Sequence, residues 1–290
     1  MSFKPDEYIK VETIEDVTNL LQEHGEAAAI LAGGTEIHEL AEKDMIPQVK
    51  KIIDIERLEL NYIESEAEFI RIGASTNLRS IRDYPLFQKE GAYTALHEAG
   101  SVLPLQVVGL GTIGGNVCSG LPILNFPAVI SAMDAEMKTI SSEGEGTIPA
   151  NKFFLDYFLT ALQPNEFVTE IRIPVFPENT GSVFLTFKLL TVEFPVVSIT
   201  ARVTLNTDET CKDARIVCGS VGRIPLRVKS AEGKLIGKRL EDKAIRKASE
   251  AVYKEIDPIS DLRASSEYRK ELCRTLTKEA LLKAKDRAIG

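Results

Sequence analysis

Two glycine-rich loops, far apart along the chain, constrain the fold more than any other feature of this sequence. They are Ala32–Ile37 (AGGTEI) and Gly111–Asn116 (GTIGGN). Each follows an apolar or β-branched run, which predicts a strand that ends in a turn with uncovered backbone amides. Such amides bind phosphate, and two loops could hold one pyrophosphate from both sides. A flavin or nicotinamide dinucleotide is therefore the expected ligand.

The second loop also fits the dinucleotide pattern G-x-G-x-x-G, over Gly109–Gly114, and Asp134 lies at the spacing of a ribose-binding acid. A Rossmann turn must open a helix that packs on a parallel sheet. Gly120, Pro122 and Pro127 interrupt the stretch where that helix would run. We therefore expect a non-Rossmann site made of two phosphate-binding loops.

Together the loops resemble those of the FAD-binding subunit of the molybdenum hydroxylases, the medium subunit of bacterial xanthine and carbon monoxide dehydrogenases. Ala32–Ile37 resembles the family's A-G-G-T-[DE]-[LI] segment, and Gly111–Val117 resembles its G-T-I-G-G-N-[ILV] segment. The resemblance covers nearly the whole chain and continues at Pro122, Asp134–Glu136, Lys188, Gly219–Pro225 and Ser265–Arg269.

The resemblance implies an α+β fold with a two-part FAD-binding domain of the PCMH (vanillyl-alcohol-oxidase-like) type. This domain is placed at residues 1–177, with subdomains about 1–60 and 61–177. An α+β C-terminal domain follows at 178–290, with an antiparallel sheet and helices on one face. The residues agree, since β-type runs at 182–190, 196–205 and 214–220 precede helical patterns at 229–235, 242–256 and 267–285.

In the first part, the pattern predicts a β-α-β unit, with strands at 27–31 and 49–55 around a helix at 35–43. Further along it predicts strands at 68–74 and 167–175, and a Ser-Ser-Glu-Gly-Glu-Gly turn within 136–148. The helices expected there are one capped by Thr76 and running to Tyr84, and others at 88–102 and 126–133.

The charge balance excludes some classes of partner. The chain has 43 acidic and 35 basic residues, a net charge of -8, which argues against nucleic acid and anionic membrane surfaces. No apolar run is long enough to span a bilayer, and Met1–Lys10 carries Asp6 and Glu7 instead of a basic, then apolar, signal. A cytoplasmic location is expected.

Metal ligands are not evident. The 4 cysteines and 3 histidines show no C-x-x-C or H-E-x-x-H spacing, so no metal site is expected, and the cysteines are expected to be reduced. The chain also lacks the cysteine-rich insertion that carries an extra iron–sulfur cluster in some relatives.

The resemblance assigns FAD contacts to the first loop, to the second loop and to positions near the flavin ring. These residues are Leu31, Ala32, Gly33, Gly34, Thr35, Glu36, Ile37, Val102, Gly111, Thr112, Gly114, Gly115, Asn116, Cys118, Asn125, Val168 and Lys188. No catalytic residue is assigned.

Several of these positions have a second interpretation. The glycines could serve the turns alone, and Thr35 could cap a helix as well as bind phosphate. Glu36 suits a pyrophosphate site only if its carboxylate points away from it. Lys188 could stabilise a reduced flavin or be a solvated strand lysine, and Val168 or Phe167 could belong to the core.

The chain departs from the family pattern in three ways. Where many relatives read S-P-x-x-D, this chain has Leu121 in place of the serine and Asn125 in place of the aspartate. Where many have an acidic residue and then an aliphatic one, it has Phe194–Pro195. These changes affect the expectations for the redox potential and the electron acceptor more than those for the fold.

The resemblance implies an FAD-dependent oxidoreductase subunit of a xanthine dehydrogenase-like complex. A large molybdopterin subunit and a small [2Fe-2S] subunit would supply electrons, NAD+ or another acceptor would receive them, and a hetero-oligomer such as a dimer of trimers is expected. The alternatives are a stand-alone flavin oxidase and a scaffold that has lost FAD.

Overall fold

The computed structural model describes residues 4–43, 45–46, 48–190 and 193–290. The chain starts with a parallel sheet in the order β1-β3-β2, in which β2, α2 and β3 form the predicted β-α-β unit. Residues 1–3 of the N-terminal segment considered above lie outside the described residues. The elements are β1 (Glu7–Lys10), α1 (Ile14–His24), a short 3-10 helix (Gly25–Ala27), β2 (Ala28–Leu31), α2 (Thr35–Glu42) and β3 (Lys51–Asp54).

A larger antiparallel sheet follows in the order β4-β5-β10-β6-β7. Its apolar face packs against helices, and buried residues such as Ile72, Leu78 and Phe126 form one core between them. The elements are β4 (Ile63–Ser65), β5 (Phe69–Gly73), α3 (Leu78–Asp83), α4 (Pro85–Gln88), α5 (Thr94–Ser101), α6 (Leu105–Leu110), α7 (Ile113–Cys118), α8 (Asn125–Ala132), β6 (Glu136–Ser141), β7 (Gly144–Pro149), α9 (Ala150–Phe153), β8 (Phe154–Asp156), β9 (Leu159–Thr160) and β10 (Phe167–Pro174).

Two of the predicted helices begin at other residues in the structure than the sequence predicted. The helix expected at 88–102 begins only at Thr94, because Gly91 precedes it with φ 148° and the Gly91 amide donates to Thr94 Oγ1. The cap of α3 is Asn77, whose side chain accepts from the Ser80 amide, and not Thr76. Thr76 instead bonds to the Tyr62 backbone.

The C-terminal part is an antiparallel sheet in the order β11-β12-β13-β14 whose own helices pack on one face, as predicted. The apolar side of β12 packs with α11 and α12 in a second core that includes Ile199, Ile245 and Leu281. The elements are β11 (Thr180–Phe187), β12 (Val197–Leu205), β13 (Cys211–Gly219), β14 (Leu226–Arg227), α10 (Lys229–Glu232), α11 (Asp242–Glu255) and α12 (Ser266–Ile289).

The other face of this sheet is polar along β12, yet it is buried. Its residues on β12 are Ser198, Thr200, Arg202 and Thr204, and α5 and α8 cover this side. At the sheet edge, the Phe184 amide of β11 donates to Glu98 of α5 at 2.7 Å. The two parts of the chain therefore share hydrogen bonds as well as packing.

Among the described helices, none is both long and apolar enough to cross a membrane.

Candidate functional site

The two glycine loops lie against each other. A Cβ atom built on Gly33 would lie 2.8 Å from the Leu110 carbonyl carbon and 3.0 Å from Gly111 Cα. On the other side, a Cβ atom on Gly111 would lie 3.6 Å from Thr35 Oγ1. Only glycine allows the close approach of Gly33 to Leu110. The structure therefore brings together the two loops that the sequence singled out.

The first loop leaves backbone amides available. It follows strand β2, and Gly34 adopts a left-handed conformation with φ 70° at the N-cap of α2. Because glycine has no side chain, it makes no side-chain cap to the first helical turn, Thr35–Ile37. Free amides and the positive end of a helix dipole are the features that an anion-binding position requires.

The second loop differs from the prediction, because it follows helix α6 instead of a strand. The β-branched run ahead of it is helical, since the Val108 amide donates to Pro104 O at 2.9 Å and the Gly111 amide donates to Val107 O at 2.8 Å. Of the residues in this run, only Val108 is fully buried, whereas Leu105 and Leu110 are exposed. This pattern of burial is that of a surface helix, since a strand would bury every second residue.

The amides of the second loop are mostly occupied, so the expectation of uncovered amides is wrong there. The Gly115 amide donates to Thr112 Oγ1 at 3.1 Å, the N-cap bond of α7, and the Gly114 amide donates to Ala74 O at 2.9 Å. The loop amides that donate within the protein are those of Gly111, Ile113, Gly114, Gly115 and Asn116. The second loop therefore contributes close packing and side chains more than free amides.

Two buried oxygen atoms beside the loops have no hydrogen-bond donor among the described residues: Glu36 Oε1 and Asn116 Oδ1. Burial raises the pKa of Glu36 to about 7, the Ser119 hydroxyl opposes this effect, and the charge of Glu39 adds to it. The Glu36 carboxyl also adds to the effect of burial that raises the pKa of Cys118 to about 12. The carboxyl thus lies near the end of α7.

Lys188 joins the two parts of the chain. It lies one residue past β11, not within the strand as predicted, because β11 ends at Phe187. Its Nζ donates to Val102 O at the end of α5, at 2.6 Å, and burial lowers its pKa. The structure therefore places two predicted site residues together, and Lys188 is not a solvated strand lysine.

The remaining predicted residues lie deeper. The Asn125 amide nitrogen donates to Ala99 O at 2.9 Å, and its Oδ1 is another buried oxygen without a donor among the described residues. Val168 and Phe167 are both buried, in two different cores. Strand β10 lies directly behind the second loop, because Ala74 accepts from Gly114 and donates to Thr169 O at 2.9 Å.

The rejected Rossmann acid has another role. Asp134 pairs with Arg202 at 2.7 Å and with Arg215 at 2.9 Å. Helix α7, which follows the second loop, has only 6 residues. Both observations exclude the Rossmann interpretation.

Ser119 lies beside both loops and was missed by sequence reasoning. Its hydroxyl donates to Asn116 O at 3.2 Å and counteracts part of the rise in the pKa of Glu36. The only sequence signal was its place directly after α7 and before Gly120.

Two family models match the chain. The FAD binding domain in molybdopterin dehydrogenase matches residues 1–176, and the CO dehydrogenase flavoprotein C-terminal domain matches residues 186–284. The chain belongs to the FAD-binding medium subunits of the molybdenum hydroxylases.

Relatives match this FAD subunit over nearly its full length. The carbon monoxide dehydrogenase medium chain of Hydrogenophaga pseudoflava is 30% identical over 95% of both chains. A solved structure of the carbon monoxide dehydrogenase from that organism superposes with a TM-score of 0.93 over 99% of both chains, at 30% identity. The 6-hydroxypseudooxynicotine dehydrogenase complex subunit alpha of Paenarthrobacter nicotinovorans is 28% identical over 97% of this chain and 95% of its own. The caffeine dehydrogenase subunit beta of a Pseudomonas species is 28% identical over 98% and 96%.

These findings confirm the predicted family and the α+β fold. The protein is an FAD-binding oxidoreductase subunit of a molybdenum hydroxylase complex. In the part of the chain that the structure describes, no three His, Cys, Asp or Glu side chains gather as a metal site would require.

The residues at the loops fit FAD. The uncapped first turn of α2 suits the pyrophosphate, and the space beside Gly33 and Gly111 admits no side chain. Asn116 Oδ1 is buried and has no donor in the described ranges of the chain, and a ribityl or ribose hydroxyl would supply one.

Proposed function

We propose that FAD binds with its pyrophosphate at the N-terminus of α2 and its ring toward Lys188, and that the chain passes electrons from a [2Fe-2S] subunit to NAD+ or another acceptor. The observation that carries this proposal is the uncapped first turn of α2 facing the second glycine loop. The residues that would hold FAD are those assigned from the sequence, with Ser119 added.

Each group of residues has a separate task. The amides of Thr35–Ile37 bind the phosphates, and the glycines let the two loops close on them. In this proposal the Lys188 ammonium, held by Val102 O, faces the flavin ring, where its charge stabilises negative charge on the reduced flavin. When bound, FAD accepts electrons singly and releases them as a pair.

For the whole complex we propose a xanthine dehydrogenase-like oxidation of a purine-type heterocycle. One relative is named for caffeine, which is a purine, although others are named for carbon monoxide and for 6-hydroxypseudooxynicotine. The substrate pocket belongs to the molybdopterin subunit in this proposal. We also propose that the complex is a dimer of trimers and that it is located in the cytoplasm.

The test is the absorption spectrum of the purified chain together with its FAD dissociation constant. We expect oxidised-flavin bands, and a Gly34→Val variant that binds FAD at least about tenfold more weakly, because φ 70° is strained for valine. If the chain showed no flavin bands after reconstitution with FAD, the result would favour the alternative of a scaffold that has lost FAD.

The same preparation also tests the alternative that the chain is a stand-alone flavin oxidase. A relay subunit needs its partners for turnover, so the isolated chain should not turn over a substrate with oxygen. Its complex should reduce NAD+ or another acceptor when a purine is added. Substrate turnover by the isolated chain would overturn the relay role.

A further inference from the structure

A cleft with a basic lining opens between helix α11 and the segment that runs from α10 to Lys238. Its volume is about 760 Å³, within the range of roughly 300–1,000 Å³ that ligand sites occupy. Five basic and two acidic side chains line it, in a chain whose net charge is -8. The basic residues of this cleft, here called the basic cleft, are Lys234, Lys238, Arg246, Lys247 and Lys254.

Helical spacing builds both walls of the basic cleft. On α11, Lys247, Ala251 and Lys254 are four and three residues apart, so they share one face of the helix. The opposite face of α11 packs into the C-terminal core. On the other wall, Lys234 and Lys238 are four residues apart in the turns that follow α10. Ala251 is the smallest lining side chain, and it leaves the space between the long lysines open.

The lysines of the basic cleft lack counter-charges. Among the described residues, no carboxylate lies within ion-pair distance of Lys234, Lys238, Lys247 or Lys254, whereas other lysines, such as Lys283, do have such partners. The Lys238 ammonium donates only to a backbone oxygen, that of Lys234, at 3.1 Å. The four lysines therefore keep their full positive charge toward the cleft.

The two carboxylates in the lining have other partners. Glu250 pairs with Arg274 of α12 at 2.8 Å, and Glu255 accepts a hydrogen bond from the Ser230 hydroxyl. Neither group is therefore placed to neutralise the lysines. An anion from outside the chain would supply the missing charge.

The lining also indicates which kind of anion fits. Like charges that gather without counter-ions destabilise a fold, and departures of this kind mark functional sites. A lysine ammonium is a compact point charge that binds phosphate. Within the described part of the chain, no aromatic side chain lines the cleft, so nothing there would stack on a ring. The features present recognise phosphate groups and not a base.

We propose that the basic cleft binds a small anion with several charges, a di- or triphosphate that is either free or part of a nucleotide. The site is separate from the proposed FAD position. Helix α11 packs on one face of the C-terminal sheet, whereas α5 and α8 of the first part of the chain cover the other face. The inference therefore does not depend on the proposed function.

The test is a calorimetric titration of the full chain with tripolyphosphate, at low ionic strength and with FAD present at saturation. FAD then occupies the proposed phosphate position at α2, so that the titration reports on other sites. We expect one saturable site per chain. Lys247→Gln and Lys254→Gln should each weaken it about tenfold, because each variant removes one charge-assisted hydrogen bond.

Lys243→Gln is the matched control. Lys243 is an exposed lysine of the same helix that does not line the cleft, so its replacement changes the net charge equally and should leave the affinity unchanged. Glu250→Gln removes a negative charge from the lining and should strengthen binding a few-fold. Glu279→Gln, at an exposed carboxylate of α12 paired with Lys283, should not.

The two sources of phosphate are compared in the same titration. Equal affinities for ATP and tripolyphosphate would support a site for the phosphates alone, and tighter binding of ATP would support a nucleotide site. Adenosine, which has no phosphate, should not bind.

Three results would contradict the proposal. They are the absence of saturable tripolyphosphate binding, an equal loss of affinity in Lys243→Gln and the two cleft variants, and binding of a polyglutamate peptide without binding of tripolyphosphate. A chain that binds no FAD would contradict the proposed function instead, and the lysine variants would still report on the basic cleft.

Discussion

Gly33 is the residue at which the two loops of the FAD subunit approach most closely. Gly33→Ala should force them apart, because the added Cβ atom would overlap the Leu110 carbonyl group. We expect FAD affinity to fall about tenfold or more and stability to fall by about 1–3 kcal/mol. Equilibrium FAD titration and urea unfolding would measure both.

Gly233→Ala is the control, since its nearest neighbour, Lys229 O, would lie 3.6 Å from the new atom. It should leave FAD binding and stability nearly unchanged. Equal behaviour of the two variants would mean that the loops do not require the close approach.

Glu36 should make the stability of the FAD-free protein depend on pH. Burial raises its pKa from 4.5 to about 7. Its contribution to stability is therefore present in full below about pH 4.5 and is lost as the pH rises through about 7. Glutamine cannot ionise, so Glu36→Gln should be more stable than the parent by on the order of 3 kcal/mol at pH 8, and by much less at pH 5.

Urea unfolding at pH 5 and pH 8 checks this, with the exposed Glu26→Gln as control. A difference between Glu36→Gln and the parent that does not change with pH would show that the carboxyl is not desolvated.

Lys188 should affect the flavin without affecting the phosphate loops. Removing its charge in Lys188→Met should lower the two-electron potential of bound FAD by some tens of millivolts, where about 30 mV corresponds to 1.4 kcal/mol. Because burial lowers the pKa of Lys188, the effect should shrink at alkaline pH as the parent loses the same charge. Spectroelectrochemical titration measures it, and the exposed Lys229→Met is the control. An unshifted potential in flavin-replete Lys188→Met would remove Lys188 from the flavin site.

At the scale of elements, the short helix α7 depends on its cap. Thr112 Oγ1 accepts the Gly115 amide at 3.1 Å. Thr112→Ala should lower the free energy of unfolding by about 0.5–2 kcal/mol, whereas Thr112→Ser keeps the acceptor and should lose much less. Equal losses in the two variants, seen by urea unfolding, would assign the effect to the methyl group.

Periodic elements could be predicted from the sequence, and elements stabilised mainly by long-range contacts could not. The β-α-β unit around α2 and the helices α11 and α12 show clear patterns and were found. Strand β1 has only 4 residues and is largely exposed, so it shows no alternation. Helix α1 was missed although Thr13 and Asp16 form a capping box, and α6 was missed because its valines favour a strand.

Part of the site could likewise be predicted. The glycine pattern identified both loops, because closely spaced glycines mark a turn locally in the sequence. Sequence could not show that the second loop uses its own amides, since their acceptors, such as Thr76 O and Ala74 O, lie on another segment. The bond between Lys188 and Val102 O is also a long-range contact. The assignment of FAD contacts remains a prediction.

At the scale of the whole molecule, Asp134 connects the first part of the chain to the C-terminal sheet. It pairs with Arg202, whose side chain is 4% exposed and whose guanidinium lies 4.2 Å from the centre of the Phe176 ring. Asp134→Ala should cost about 1–3 kcal/mol, because a buried cation loses one of its two carboxylates. Thermal unfolding of the apoprotein would measure the loss.

Glu279→Ala removes a single exposed ion pair, with Lys283, and serves as the control, with little expected change. If both variants unfold alike, the Asp134 cluster adds nothing beyond an ordinary surface pair.

The contact between α5 and β11 also has a consequence for biosynthesis. Strand β11 is an edge strand, and an uncovered edge can pair with other chains. Helix α5 precedes β11 in the chain, and a chain leaves the ribosome from its N-terminus. The Glu98 carboxylate and Gly91 carbonyl that accept from β11 are thus translated before the strand itself. A nascent chain can cover this edge as soon as it emerges, whereas the C-terminal part synthesised alone, from residue 178, would expose it to aggregation.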